Sequence, residues 1–179
     1  MPLQLSLQQQ SLLQEEEKTQ IERAQKEPRF FAPLYERYYD AIFRYVYRRV
    51  DEEEQAYDIT SSVFVKALQS LPKFEYRGLP FSAWLFRIAK SELYQSFRDQ
   101  KSKRTVSIEN VVVQQVVEEW TDTYSEQDKA RLLNALKQLK EQQLQLVEMR
   151  FFEKRSFKEI GEICGLTENN AKVKTFRAV

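Results

Sequence analysis

Two groups of residues in this chain have the types and spacing to act on another molecule. Near the C-terminus, Ile160, Gly161, Cys164, Gly165, Leu166 and Ala171 recur at the spacing of two helices that cross at a steep angle. Gly161 lets the second helix approach, Gly165 takes a turn conformation that a Cβ would hinder, and Leu166 plugs the corner. A helix-turn-helix of this kind lays its second helix in a DNA major groove, which leaves Glu168, Asn169, Lys172, Val173, Phe176 and Arg177 as the outward face. An ordinary corner in a helical bundle has the same spacing and stays open on this segment alone.

The second group mixes rings with cations. Phe74, Tyr76, Phe81, Trp84, Phe86, Tyr94 and Phe97 lie among Lys73, Arg77, Arg87, Lys90, Arg98, Lys101, Lys103 and Arg104. One small core cannot hide that many rings, and exposed rings beside cations suit a single-stranded nucleic acid, whose bases stack while its phosphates follow the charges. Trp84, one turn from Phe81 and Ile88, is expected in the core, leaving Tyr76, Phe86, Lys90 and Ser91 outward. The competing reading makes the rings core and the cations a solvated face.

Composition removes other chemistries. The 179 residues contain no histidine, one cysteine (Cys164) and three glycines (Gly78, Gly161, Gly165). No Cys/His zinc cage, no Ser-His or Cys-His nucleophile pair and no disulfide framework can be assembled from these. Glycine-rich phosphate loops need close-spaced glycines that are missing. No catalytic residue, cofactor or metal ligand is therefore assigned. Apolar runs are short and the N-terminus is rich in Gln and Glu, so neither a membrane insertion nor a signal peptide is expected, and the predicted location is cytoplasmic.

The formal charge of +1 hides a segregation of sign. Between Pro72 and Arg104 the eight cations named above face three acids (Glu75, Glu92, Asp99), whereas Thr105 to Asp128 holds acids and no base. A basic working surface followed by an acidic tether accounts for that pattern.

The elements that must position these groups read as all helix, because Gly and Pro are sparse and turn signals are far apart. Residues 1–27 are Gln-rich and only loosely amphipathic, and are expected to form a frayed or partner-ordered arm. Pro28 and Pro33 punctuate a start, and Leu34, Tyr38, Ala41, Ile42, Tyr45 and Val46 mark a first helical stripe. After the acidic turn Asp51 to Glu54, the residues Ala56, Ile59, Val63, Ala67 and Leu71 mark a second helix that ends at Pro72. Gly78 and Pro80 open a loop before a third helix from about Phe81 to Gln100, closing a first domain over 28–104. Residues 105–125 read as an acidic linker, with a short valine run (Val111, Val112, Val113, Val116, Val117) as its one nascent helix. In the second domain, 126–179, Leu132, Leu133, Leu136 and Leu139, then Leu144, Val147 and Phe151, mark two helices joined around Lys140 and Glu141. Ser156 and Glu159 form a capping box for a helix carrying Phe157, Ile160 and Cys164 inward, and Thr167 caps the last helix. The predicted fold class is all-α, with two small helical domains and a C-terminal helix-turn-helix.

Three segments make the reading specific. Asp58-Ile-Thr-Ser-Ser-Val-Phe64, Phe81-Ser-Ala-Trp-Leu-Phe-Arg-Ile-Ala89, and Phe157 to Gly161 continuing to Lys172-Val-Lys-Thr-Phe-Arg-Ala178 resemble the conserved segments of bacterial RNA polymerase sigma factors. The small two-domain extracytoplasmic-function group is the most similar, over about Phe30 to Val179. The resemblance implies that the second helix docks the clamp coiled coil of the largest subunit of core RNA polymerase, through Asp58, Thr60, Ser61 and Phe64. It implies that the loop and third helix capture and melt the minus-ten element, through Tyr76, Phe86, Arg87, Lys90, Ser91 and Arg98. It also implies that the C-terminal unit reads duplex DNA at the minus-thirty-five element while resting on the polymerase flap, through Thr167, Glu168, Asn169, Lys172, Lys174, Phe176 and Arg177. An anti-sigma factor is a further partner expected from the resemblance. Ser61, Ser62, Ser91, Ala171 and Thr175 depart from residues common in the family, and the family usually runs on beyond the position of Val179, so a C-terminal truncation is expected.

A physical estimate agrees with a large partner. Opening about ten base-pair steps at about 1.4 kcal/mol each costs on the order of 14 kcal/mol. No nucleotide-hydrolysing motif is present to supply it, so binding energy must. The alternatives are a free-standing helix-turn-helix regulator, which would footprint duplex DNA alone, and a helical interaction module, which would show no salt-dependent DNA affinity.

Overall fold

The computed structural model describes residues 7–99 and 125–179, and every described element is helical. The expected acidic linker lies outside the described residues except for its last position, Ser125. In chain order the elements are α1 (Leu7–Lys26), a 3-10 turn (Pro28–Phe31), α2 (Ala32–Tyr47), α3 (Glu53–Ser70), a second 3-10 turn (Leu71–Lys73) and α4 (Phe81–Asp99). The second half contains α5 (Glu126–Lys137), α6 (Glu141–Val147), a π turn (Glu148–Phe152), α7 (Phe157–Cys164) and α8 (Glu168–Ala178).

Helices α2, α3 and α4 share a core for the reason their stripes predicted. Leu34, Ile42 and Val46 of α2 meet Ala56, Val63 and Ala67 of α3 and Phe81, Leu85, Ala89 and Leu93 of α4, all buried. The alanines of α3 let its neighbours come close, and Pro72 in the second 3-10 turn ends the α3 segment.

The N-terminal arm differs from the expectation. Residues from Leu7 onward form a continuous helix, and Ile21 and Ala24 are buried in the main core. Full burial of one isoleucine contributes about 1.5–3 kcal/mol, a thin apolar contribution for 20 residues. Polar anchors supply the rest: Glu17 is buried, and the half-buried Gln25 hydrogen-bonds backbone across 46 and 49 residues. Anchors of that kind have no periodicity to read.

The second half also packs differently from a free tethered unit. Leu144 and Val147 of α6 join Leu136 of α5 in a small cluster. Leu146, Met149, Ile160, Ile163 and Ala171, however, belong to the same buried cluster as the cores of α2, α3 and α4. Short α6 is therefore a wedge, apolar on two sides, between α5 and the first half. The expected single helix through Phe151 gives way at Glu148 to a π turn, closed by Glu153 N–H to Glu148 O at 3.1 Å.

Candidate nucleic-acid interface

The C-terminal corner is built by local chemistry. Ser156 Oγ accepts from Glu159 N at 3.2 Å while Glu159 Oε2 accepts from Ser156 N at 2.9 Å, so two orphan donors of α7 are satisfied reciprocally. Gly165 ends α7 at φ +67°, and Leu166 N–H donates back to Gly161 O at 2.8 Å. A Cβ on Gly161 would stand 2.6 Å from Leu166 O, so glycine alone permits the approach of α8. Thr167 Oγ1 then accepts from Asn170 N at 3.2 Å and starts α8. Ala171 and Thr175 face inward, and the Thr175 hydroxyl donates to Ala171 O at 2.8 Å. Glu168, Asn169, Lys172, Lys174, Phe176 and Arg177 are all exposed. Lys172, Lys174 and Arg177 make no ion pair among the described residues, which leaves their charge for an anionic partner.

The loop before α4 and the first turns of that helix frame a cleft of about 230 Å³. Its rings are Phe74 and Trp84, with centroids 4.7 Å apart, and its cations are Lys73, Arg77 and Arg87. Gly78 at φ +69° turns the loop. Tyr76 is half-buried; its hydroxyl has no hydrogen-bond partner among the described residues, and burial raises its pKa. Glu75 and Glu162 also line the cleft and pair with Arg77 and Arg87, which leaves Lys73 as its cation without an acid partner among the described residues; aromatic edges beside cations are the surface that an unstacked base and its phosphate require.

Helix α7 closes over this region. Arg87 Nη1 lies 2.6 Å from Glu162 Oε1 at the edge of the cleft. Phe86 is only 4% exposed, packed edge-on against Tyr45 and covered by the Arg155 guanidinium 3.9 Å from its ring centroid. Deeper in the contact, Arg49 and Glu148 form a buried ion pair, and Arg49 Nη1 also donates to Tyr45 O at 2.8 Å. Gln145 Nε2 donates to Tyr45 Oη at 3.0 Å, and burial pushes the Tyr45 hydroxyl up to about 12, so it stays neutral at physiological pH. Tyr94 donates to Glu141 Oε1 at 2.9 Å. Burial also raises the Cys164 thiol, against the pull of nearby Lys90.

The Sigma-70 region 2 family matches residues 34–103, and the family described as Sigma-70, region 4 matches residues 129–179. The RNA polymerase sigma factor YlaC of Bacillus subtilis is 31% identical over 148 residues, covering 81% of this chain and 85% of YlaC. The ECF RNA polymerase sigma factor BldN of Streptomyces coelicolor is 34% identical over 162 residues, covering 89% of this chain. The chain belongs to the extracytoplasmic-function sigma factors of RNA polymerase. It spans 61% of the length of BldN. Its fold is that of CnrH, solved in complex with the cytosolic domain of CnrY, at a TM-score of 0.62 and 20% identity over 90% of this chain and 91% of CnrH. Among the described residues no helix is long and apolar enough to cross a membrane.

On this sigma factor fold the expected site residues separate into those available and those not. The whole outward set of α8 is exposed as anticipated, and Thr167 acts as its cap. Ser91 and Arg98 are exposed on α4, Lys90 is half-buried, and Trp84 is buried as expected. Phe86 differs from the sequence reading: in this closed arrangement it is buried, because Tyr45 and Arg155, the latter in the segment between the π turn and α7, cover the side of α4 that the stripe left open. On α3, Asp58 and Ser61 are exposed, whereas Thr60 and Phe64 are buried and cannot serve as contacts there. Phe64 packs edge-on against Phe31 and Tyr35, with Tyr39 stacked on it. The residues that continue the outward row are Val65 and Leu68, 54% and 38% exposed. Their spacing from Asp58 and Ser61, at three and four residues, was the signal available in the sequence.

Proposed function

We propose that this chain is a promoter-specificity subunit that binds core RNA polymerase and directs it to its promoters for melting and initiation, without catalysing a reaction itself. The observation that carries the reading is the pairing of two nucleic-acid surfaces on one small chain. One is a ring-floored cationic cleft beside α4, and the other is an exposed, unpaired cationic face on the second helix of a capped corner. The cleft suits an unstacked base of the minus-ten element, with Arg87 on its rim, Tyr76 in the loop that frames it, and Lys90, Ser91 and Arg98 farther along α4 for the strand that continues from it. Helix α8 suits duplex DNA at the minus-thirty-five element, with Asn169 and Lys172 near base edges and Lys174 and Arg177 on phosphates. The α3 row Asp58, Ser61, Val65 and Leu68 is a mixed polar and apolar strip for the polymerase clamp.

In the closed arrangement α7 blocks one edge of the cleft through Glu162, so engagement of DNA by both surfaces requires the halves to separate. Core polymerase would supply the binding energy for that separation, and an inhibitory protein would work by preserving the closed state. The test is transcription in vitro from a promoter library with core polymerase, with and without the chain. Start sites that appear only with the chain are expected. A footprint on duplex DNA by the chain alone, with no polymerase-dependent start sites, would make it a free-standing regulator instead.

A further inference from the structure

Helix α1 crosses the base of the loop that shapes the cleft and holds it at both ends. At one end, Gln25 Nε2 donates to Leu71 O at 2.9 Å and to Phe74 O at 2.7 Å, where the chain leaves α3 and enters the loop. At the other, Glu17 Oε2 accepts from Phe81 N at 3.0 Å, the first residue of α4. The second Glu17 oxygen accepts from the Tyr38 hydroxyl of α2. Glu17 and Gln25 are eight positions apart in α1, a span of about 12 Å at 1.5 Å per residue. Between the two anchors runs the segment with Tyr76, Arg77 and Gly78.

Each contact answers a specific need. The first N–H groups of an α-helix have no partner within it, and no side chain in the loop itself takes this role at Phe81. A carboxylate 6% exposed is costly unless its oxygens are hydrogen-bonded, and at the positive end of a 19-residue helix it is also favoured by the dipole. Of the two carbonyls taken by Gln25, Leu71 O also accepts from Phe74 N–H within the second 3-10 turn, whereas Phe74 O lies just beyond it, where the helical ladder has stopped. Packing alone would need only Ile21 and Ala24. The polar pair does something that packing does not: it sets the distance and direction between the end of α3 and the start of α4.

We propose that Glu17 and Gln25 are positioning residues for promoter melting, splinting the loop so that its cleft is preformed when the minus-ten strand is extruded. This rests on the proposed function and assigns a role within it to the N-terminal helix. A preformed cleft lowers the opening barrier because loop ordering does not have to be supplied while the base is unstacking.

The experiment uses the full chain with four sequences: wild type, Glu17→Leu, Glu17→Gln and Gln25→Leu. Amide hydrogen exchange of residues 74–81 on the chain alone reports loop order, and core-polymerase affinity reports the rest of the fold. Opening is followed by permanganate reactivity on a duplex promoter and on the same promoter already mismatched across the minus-ten element. Glu17→Leu and Gln25→Leu are expected to speed exchange and slow duplex opening about tenfold, with core affinity within about twofold of wild type and near-normal use of the mismatched template. Glu17→Gln keeps an oxygen for the Phe81 N–H and should recover most of the opening rate. If Glu17→Leu fails to fold, Gln25→Leu against Glu17→Gln decides. Unchanged exchange, unchanged duplex opening, or an equal loss on both templates overturns the inference. A wild-type chain that opens no promoter with core polymerase overturns the proposed function instead, a result visible before any variant is compared.

Discussion

The buried Arg49–Glu148 pair is the contact on which closure should depend most. Arg49 follows α2, Glu148 opens the π turn, and the two are 99 residues apart, so the pair contributes to the contact between halves rather than to either half alone. Removing one partner of a buried pair costs about 3–5 kcal/mol because the other charge is left uncompensated. In Glu148→Gln the charge left buried is Arg49, and neighbouring Arg48, 3.9 Å from Glu148 Oε1, is a second cation that loses its acid in the same substitution and so gives no compensation. Other polar contacts across the junction are neutral or half-exposed, among them Gln145 to Tyr45, Tyr94 to Glu141 and Arg87 to Glu162. At about 1 kcal/mol each they are present with or without the substitution, so they do not offset the loss. Glu148→Gln should therefore shift the closed-to-open ratio by about two to three and a half orders of magnitude, at 1.4 kcal/mol per factor of ten. Replacing both charges, Arg49→Met with Glu148→Leu, should restore closure because no buried charge is left unpaired, the remaining cost being the Tyr45 carbonyl that loses its Arg49 donor. Cys164, the single cysteine, is a native reporter: it is half-buried at the junction, and burial holds its thiol above the ordinary 9.0. Opening lowers that pKa and exposes the sulfur, so alkylation at pH 8 should accelerate at least severalfold in Glu148→Gln and return to the wild-type rate in the double variant. Equal alkylation rates in all three chains, with helix content unchanged by circular dichroism, would refute the assignment of this pair as the lock.

Gly161→Ala should destabilise the C-terminal corner by about 1–3 kcal/mol, seen as a lower melting temperature and weaker duplex binding, because the new Cβ would meet backbone at 2.6 Å. Val65→Asp or Leu68→Asp should weaken pull-down of core polymerase with the melting temperature preserved, whereas Phe64→Ala should cost about 3–5 kcal/mol of stability, since Phe64 is core. On promoter DNA with core polymerase, Lys174→Ala and Arg177→Ala should each lower the salt slope by about one. Asn169→Ala should relax base preference by about 1–3 kcal/mol at one position, and an unchanged preference would show that another face of α8 enters the groove.

Legibility in the sequence followed the range of the interaction. The capping box at Ser156 and Glu159, the Gly165 stop and the Thr167 cap join groups within three or four residues, so residue type and spacing were enough to place the corner and its outward face. The stripes of α2, α3 and α4 were equally plain, because a buried helix face repeats every three or four positions. The buried face of α3 is nevertheless wider than its aliphatic spacing indicates. Tyr35 and Tyr39 of α2 extend the core around that helix far enough to take in Phe64, which only the packing of two helices could determine.

The sequence by itself determined the helical class, the two-part layout of its chemistry and which residues of α8 face outward, all through local propensity and periodicity. Tertiary structure decided the rest. It turned a Gln-rich arm into a splint through two polar side chains with no periodic signature, and it selected Val65 and Leu68 over Thr60 and Phe64 as the exposed row. It also buried Phe86 beneath the second half of the chain. Each outcome depends on contacts between residues far apart in sequence, whose energies arise only when desolvation, charge and shape meet in three dimensions.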